Sequence, residues 1–66
     1  MTPHQYATAI AKLGLSQRGA ARFLGVGERT SRRWIAGEAP VPQAVAMLLR
    51  LMIRIHLSPE AVIASQ

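Results

Sequence analysis

Apolar residues recur along the chain at the three- and four-residue spacing that places side chains on one face of a helix. Thr2, Ser16 and Ser58 stand just before such segments and are of the type that caps helices. The pattern predicts helices over about residues 3–13, 16–24, 28–36 and 43–55, and a short fifth helix after Ser58. No segment alternates apolar and polar residues as a half-buried strand does. We therefore expect one compact all-α domain of four to five helices.

The fourth predicted helix is apolar around most of its circumference. One stripe along it consists of Val45, Leu48, Leu49, Met52 and Ile55. Beyond that stripe lie Ala44, Met47 and Leu51. A domain of three short helices needs only one face of a fourth helix to close its core. We therefore expect residues 42–65 to complete the core and also to form a homodimer, with Met47 and Leu51 in the dimer interface.

The charge of the chain is positive and unevenly distributed. Eight Lys and Arg residues oppose three Asp and Glu residues, for a net charge of +5. Five arginines lie between Arg18 and Arg33, where Glu28 is the only acid. The arginine side chain forks onto phosphate oxygens and guanine edges, so this segment predicts a nucleic-acid contact surface. Arg50 and Arg54 on the fourth helix are interpreted as its polar strip or as the rim of a dimer interface.

The composition argues against several other classes of protein. The chain has no Cys, which removes disulfides, thiolate catalysis and Cys-based zinc sites and fits a reducing compartment. It has no Asp and no glycine-rich phosphate loop, so we expect no enzyme and no cofactor. His4 and His56 are isolated from other ligands, and we expect no metal site. The first residues lack the features of a signal peptide and the apolar run is too short to span a bilayer, so we expect a cytoplasmic protein.

Residues 16–37 have the spacing of a helix-turn-helix, with a turn at Leu24-Gly25-Val26-Gly27. The motif residues are Leu13-Gly14-Leu15-Ser16-Gln17, Ala20-Ala21, Leu24-Gly25-Val26, Glu28-Arg29-Thr30, Arg33-Trp34 and Gly37. Over residues 13–42 the chain resembles the phage-repressor (Xre/Cro-like) helix-turn-helix family. It departs from the family at Ala20 and Ser31, which are smaller than the aliphatic residues usual at those positions. Ile35 stands where the family often has Glu, and Gly27 stands where it usually has a Ser or Thr cap. We interpret Trp34 as partly refilling the lost volume.

The resemblance implies a sequence-specific, double-stranded DNA-binding protein, a transcriptional regulator that acts as a repressor. Its third helix would read the major groove through Glu28, Arg29 and Arg33. The residues that the resemblance assigns to backbone phosphates are Gln17, Arg18, Thr30 and Arg32. Glu28 has a second interpretation, since an acid near a helix start also complements the helix dipole. Arg22 and Arg32 are interpreted as solvated or phosphate-facing in preference to the alternative, a base-reading role.

Two other functions remain open on the sequence. A cationic chain with an apolar helix can coat anionic lipid or nucleic acid without specificity. Here, however, most of the Lys and Arg residues lie outside the most apolar helix. The chain is alternatively an antitoxin or a phage accessory regulator, whose C-terminal helices bind a toxin or another protein partner. Co-purification of such a partner would distinguish that alternative.

Overall fold

The structure, a computed structural model that describes residues 1–66, consists of helices and short connections. The helices are α1 (Pro3–Lys12), α2 (Gln17–Leu24), α3 (Glu28–Ala36), α4 (Gln43–Arg54) and α5 (Pro59–Ala64). The predicted all-α fold is confirmed. The predicted bounds differ from the observed ones only at the ends, where Leu13 and Ile55 are C-caps and Ser16 is an N-cap rather than a helical residue.

Side-chain caps begin three of the helices at the residues that the sequence indicates. At the start of α1, the Gln5 N–H donates to Thr2 Oγ1 at 3.1 Å and the Thr2 N–H donates to Gln5 Oε1 at 2.9 Å. This reciprocal pair is a capping box, in which Thr2 caps the helix as predicted. The Ser16 and Ser58 hydroxyls each accept from a backbone N–H at the start of α2 and α5. Local signals therefore account for where these helices start.

A short turn, residues 25–27, joins α2 to α3. Gly25 has a φ of 73°, and after it the Val26 N–H returns to the Ala21 carbonyl at 2.9 Å. A residue with a side chain rarely adopts this left-handed conformation, so glycine sets the reversal between the two helices. We call α2, this turn and α3 the helix-turn-helix unit.

The core lies around α1, which packs against α3 and α4. Its buried members are Tyr6, Ala9, Ile10, Ala20, Trp34 and Leu49. Trp34 is buried as predicted, and its ring meets the ring of Tyr6 edge-on with centroids 5.4 Å apart. Only 11 of the 66 residues are buried, so the apolar surface that stabilises this fold is small.

The buried face of α4 differs from the predicted stripe. Ala46, Leu49 and Met52 are buried, whereas Ile55 is 55% exposed. Ile55 follows Ala46 by nine residues, about 2.5 helical turns, which places it on the opposite side of the helix axis. The predicted core position of Ile55 is therefore wrong, and Ala46 takes part in its place. None of the helices combines the length and the apolar character needed to cross a membrane.

Candidate nucleic-acid interface

One side chain of α1 holds the inner face of α3 at two points. The hydroxyl groups of Tyr6 and Ser31 share a buried hydrogen bond with 2.7 Å between the oxygens, in which either can donate. The Tyr6 ring also contacts Trp34, which lies one turn further along α3. Burial raises the pKa of Tyr6 above its ordinary 10.0, and the hydrogen bond to Ser31 offsets part of that rise. These contacts fix the rotation of α3 about its own axis.

The opposite face of α3 carries positive charge. Arg29, Arg32 and Arg33 are exposed and border one open depression on the surface. None of the three forms an ion pair within the chain. With 3.6 residues per turn, Arg29 and Arg33 lie one turn apart on the side of α3 away from the core. The structure thus brings together three arginines whose donors are free to bind an anion or a base edge.

An ion pair connects the first turns of α2 and α3. Arg18 Nε donates to Glu28 Oε1 at 2.7 Å, with the two side chains 74% and 43% exposed. An ion pair this exposed contributes little to stability, because water screens it and ordering both side chains costs entropy. Its importance lies in position, since Arg18 is predicted to contact phosphate and Glu28 to contact bases. In the free protein the two residues contact each other.

The remaining residues of the predicted interface divide into two groups. Gln17 and Thr30 are exposed, and neither side chain forms a hydrogen bond within the chain. Their polar atoms are therefore available to a ligand. Arg22 lies elsewhere, because it lines a groove that α2 forms with α4 and α5. This position is apart from the exposed arginines of α3, so it does not support a phosphate contact of Arg22 beside them.

Two residues beside the arginines were missed in the sequence. Ala36 and Glu38 border the same depression as Arg29, Arg32 and Arg33. Gly37, with a φ of 78°, reverses the chain so that the Glu38 N–H donates to the Arg33 carbonyl at 2.9 Å. The glycine after α3 was the available signal for this return. Glu38 lowers the local positive potential without forming an ion pair.

The two residues predicted for a dimer interface lie outside the core. Met47 is 60% exposed and Leu51 is 53% exposed. They lie one turn apart on α4, away from the buried Leu49 and Met52. The apolar surplus that the sequence indicates on this helix is therefore at the surface of the chain.

Comparison with known proteins identifies no relative of this chain. No family model matches it, and no curated protein or solved structure matches it significantly. The position and charge of its own side chains are what point to a function.

Proposed function

We propose that this protein binds double-stranded DNA with sequence specificity, places α3 in the major groove, and acts in the cytoplasm as a transcriptional repressor. No catalytic residue and no cofactor form part of this proposal. It takes up the resemblance of residues 13–42 to the phage-repressor (Xre/Cro-like) helix-turn-helix family and adds the arrangement of side chains around α3.

The unpaired arginine face of α3 carries the proposal. Arg29, Arg32 and Arg33 are exposed and without carboxylate partners, while Ser31 and Trp34 hold the other face against α1. The backbone of a helix held in this way needs no rearrangement on binding, so the entropy lost is mainly that of the arginine side chains. The major groove is about 12 Å wide and admits one helix. A convex, basic helix face is the complement of that groove.

Base reading falls to Arg29, Arg33 and Glu28. A guanidinium can donate two hydrogen bonds to guanine O6 and N7, which is the commonest specific contact in the major groove. A carboxylate can accept from the N4 amine of cytosine. Arg18 uses only Oε1 of Glu28, so Oε2 remains for a base while the ion pair stays intact. Glu28 would then read a base and orient Arg18 at the same time.

Phosphate binding falls to Gln17, Arg18, Thr30 and Arg32. Gln17 is the first residue of α2, where backbone N–H groups without helical partners favour an anion. The Arg18 side chain lies beside the same helix start. Contacts of this kind set the register of the protein on the duplex but carry no sequence information. Losing one of them weakens binding to all sequences alike.

Selection from a random DNA pool, followed by binding measurements on the selected and a scrambled duplex, tests the proposal. Arg29→Ala and Arg33→Ala should each lose about 1 to 3 kcal/mol of binding free energy on the selected duplex and much less on the scrambled one. Arg50→Ala is the matched control, because it removes the same charge from an exposed position on α4. Equal losses on both duplexes would reduce Arg29 and Arg33 to phosphate contacts. Recovery of no sequence preference would contradict the proposal.

A further inference from the structure

The outer side of the C-terminal helices is apolar. Met47, Leu51, Ile55 and Ile63 are each more than half exposed, between 53% and 60%. Met47 and Leu51 on α4 and Ile55 at its C-cap recur every four residues and therefore share one face of that helix. We call these four residues the C-terminal apolar surface. Apolar side chains grouped in this way on a small protein mark an interaction site.

An open groove of about 610 Å³ adjoins this surface. It is lined by residues of α2, α4 and α5, among them Phe23, Leu48, Val62 and Ile63. Ile63 belongs both to the groove and to the C-terminal apolar surface. Leu48 lies three residues before Leu51, so their side chains are neighbours on the helix and the groove continues the exposed face of α4. Groove and apolar surface therefore form one region.

Few contacts within the chain stabilise α5. It has six residues, of which only Pro59 is buried. A helix this short is marginal in water by itself, and most helices in proteins owe their stability to a packed apolar face. Ile63, the largest apolar side chain of α5, remains 60% exposed. A partner that packs against Ile63 would give α5 the buried apolar face that it lacks in the single chain.

The total surface of the chain is also large for its mass. The accessible surface is 4500 Å² for a mass of 7.2 kDa. The scaling of surface with mass among monomeric proteins gives about 4100 Å². An interface of standard size covers about 800 Å² per partner, which is under a fifth of the 4500 Å² surface. The chain therefore has more accessible surface than its mass predicts, and enough of it to form such an interface.

Two charged residues in the groove indicate what the partner is. Arg22 from α2 and Glu60 from α5 both line it, and neither forms an ion pair within the chain. In a two-fold interface the same patch occurs on both copies, so residue i of one meets residue j of the other and the reverse. A patch with an apolar middle, one unpaired cation and one unpaired anion is complementary to itself. A purely acidic or purely basic partner would leave one of the two charges opposed.

We propose that a second copy of this chain docks on this region to form a two-fold dimer. In the dimer, Met47, Leu51 and Ile63 are buried, and Arg22 of each protomer pairs with the partner's Glu60. This proposal does not depend on DNA. Its consequence for DNA rests on the proposed function: two α3 helices would contact half-sites roughly 34 Å apart, or a multiple of that distance.

Sedimentation of the full chain at micromolar concentration, without DNA, tests the dimer. We expect twice the 7.2 kDa mass of the chain. Arg22→Glu and Glu60→Arg each oppose like charges at two places in the dimer and should weaken it about tenfold or more. The double variant restores the pairs with reversed sign and should dimerise more strongly than either single variant. Lys12→Glu on α1 is the matched control for Arg22→Glu, since it makes the same change of charge at an exposed residue outside the groove.

A second variant tests the apolar part of the interface. Met47→Glu with Leu51→Glu should give a monomer that keeps its helical circular dichroism, because both side chains are exposed in the single chain. A monomeric wild-type protein at this concentration would overturn the proposal and leave the region to a different protein. A wild-type dimer that the two glutamates do not dissociate would overturn the assigned surface. Failure of the charge-reversed double variant to recover would overturn the pairing of Arg22 with Glu60.

Discussion

The α3 and α4 helices each have one face in the core and one face in solvent, but their outer faces differ. The outer face of α3 carries Arg29, Arg32 and Arg33 without partners. The outer face of α4 carries Met47 and Leu51, which are 60% and 53% exposed. Neither outer face contributes to the core of the single chain. The chemistry of each exposed face indicates a different partner, a polyanion for α3 and an apolar surface for α4.

The two helices also differ in how the core holds them. Ser31 on α3 makes a polar contact, a buried hydroxyl whose only hydrogen-bond partner in the chain is Tyr6. On α4, Leu49 and Met52 are held by apolar packing alone. A buried hydrogen bond adds a directional constraint to the packing of a helix. The helix proposed to read bases is thus held against α1 by a hydrogen bond as well as by packing.

The largest expected effect separates the two faces of α4. Leu49 is fully buried, so Leu49→Ala should lower the free energy of unfolding by about 2 to 5 kcal/mol in a denaturant titration. Leu51→Ala removes the same atoms from an exposed position. Its effect should be within about 0.5 kcal/mol at concentrations too low for self-association and should grow as the concentration rises. A loss at Leu51 that equals the loss at Leu49 and does not depend on concentration would show that the two faces are not distinct.

A smaller effect is expected at the contact that holds α3. Tyr6→Phe leaves the Ser31 hydroxyl buried without a partner, and Ser31→Ala does the same to the Tyr6 hydroxyl, each at about 1 to 3 kcal/mol of unfolding free energy. The double variant removes both polar groups and should cost less than the two single losses added together. Chemical denaturation followed by the fluorescence of Trp34, the only tryptophan, measures all three. Simple additivity would mean that the two hydroxyls do not interact.

The smallest expected effect is a loss of stability at high pH. Because burial raises the pKa of Tyr6, the folded chain keeps the phenolic proton at a pH where the unfolded chain releases it. This contribution is fully present below pH 10.0, the ordinary pKa, and is lost as the pH rises through the raised pKa. Tyr6 is the only tyrosine, so tyrosinate absorbance follows it directly. Tyr6→Phe should remove this part of the pH dependence, and an unchanged dependence would assign it to other groups.

Local signals in the sequence were sufficient for the helices but not for the choice between two faces of α4. Thr2 and Ser16 make the caps that their residue types indicate, because capping depends on neighbours within one turn. Along α4, apolar residues occupy both the buried and the exposed side, so periodicity alone could not place Ile55 outside and Ala46 inside. That choice depends on which side α1 covers.

Contacts between residues distant in sequence were beyond prediction from pattern. Tyr6 and Ser31 are 25 residues apart, and nothing in the spacing of either indicates the other. Ser31 therefore looked like lost core volume, whereas its hydroxyl meets that of Tyr6. The ion pair of Arg18 with Glu28 spans 10 residues and follows from the turn that sets the two helix starts side by side. The resemblance assigns Arg29 and Arg33 to bases and Arg32 to phosphate, and their closeness could be predicted because a single helix carries all three.

The salt dependence of DNA affinity tests most directly whether the arginine face of α3 binds a duplex. Each phosphate that the protein neutralises should contribute about −0.9 to the slope of log affinity against log salt concentration. We expect a steep slope for the wild type, a slope about 0.9 shallower for Arg32→Ala, and an unchanged slope for Arg50→Ala. An affinity for duplex DNA that hardly changes between low and moderate salt, or equal slopes for all three proteins, would contradict the account.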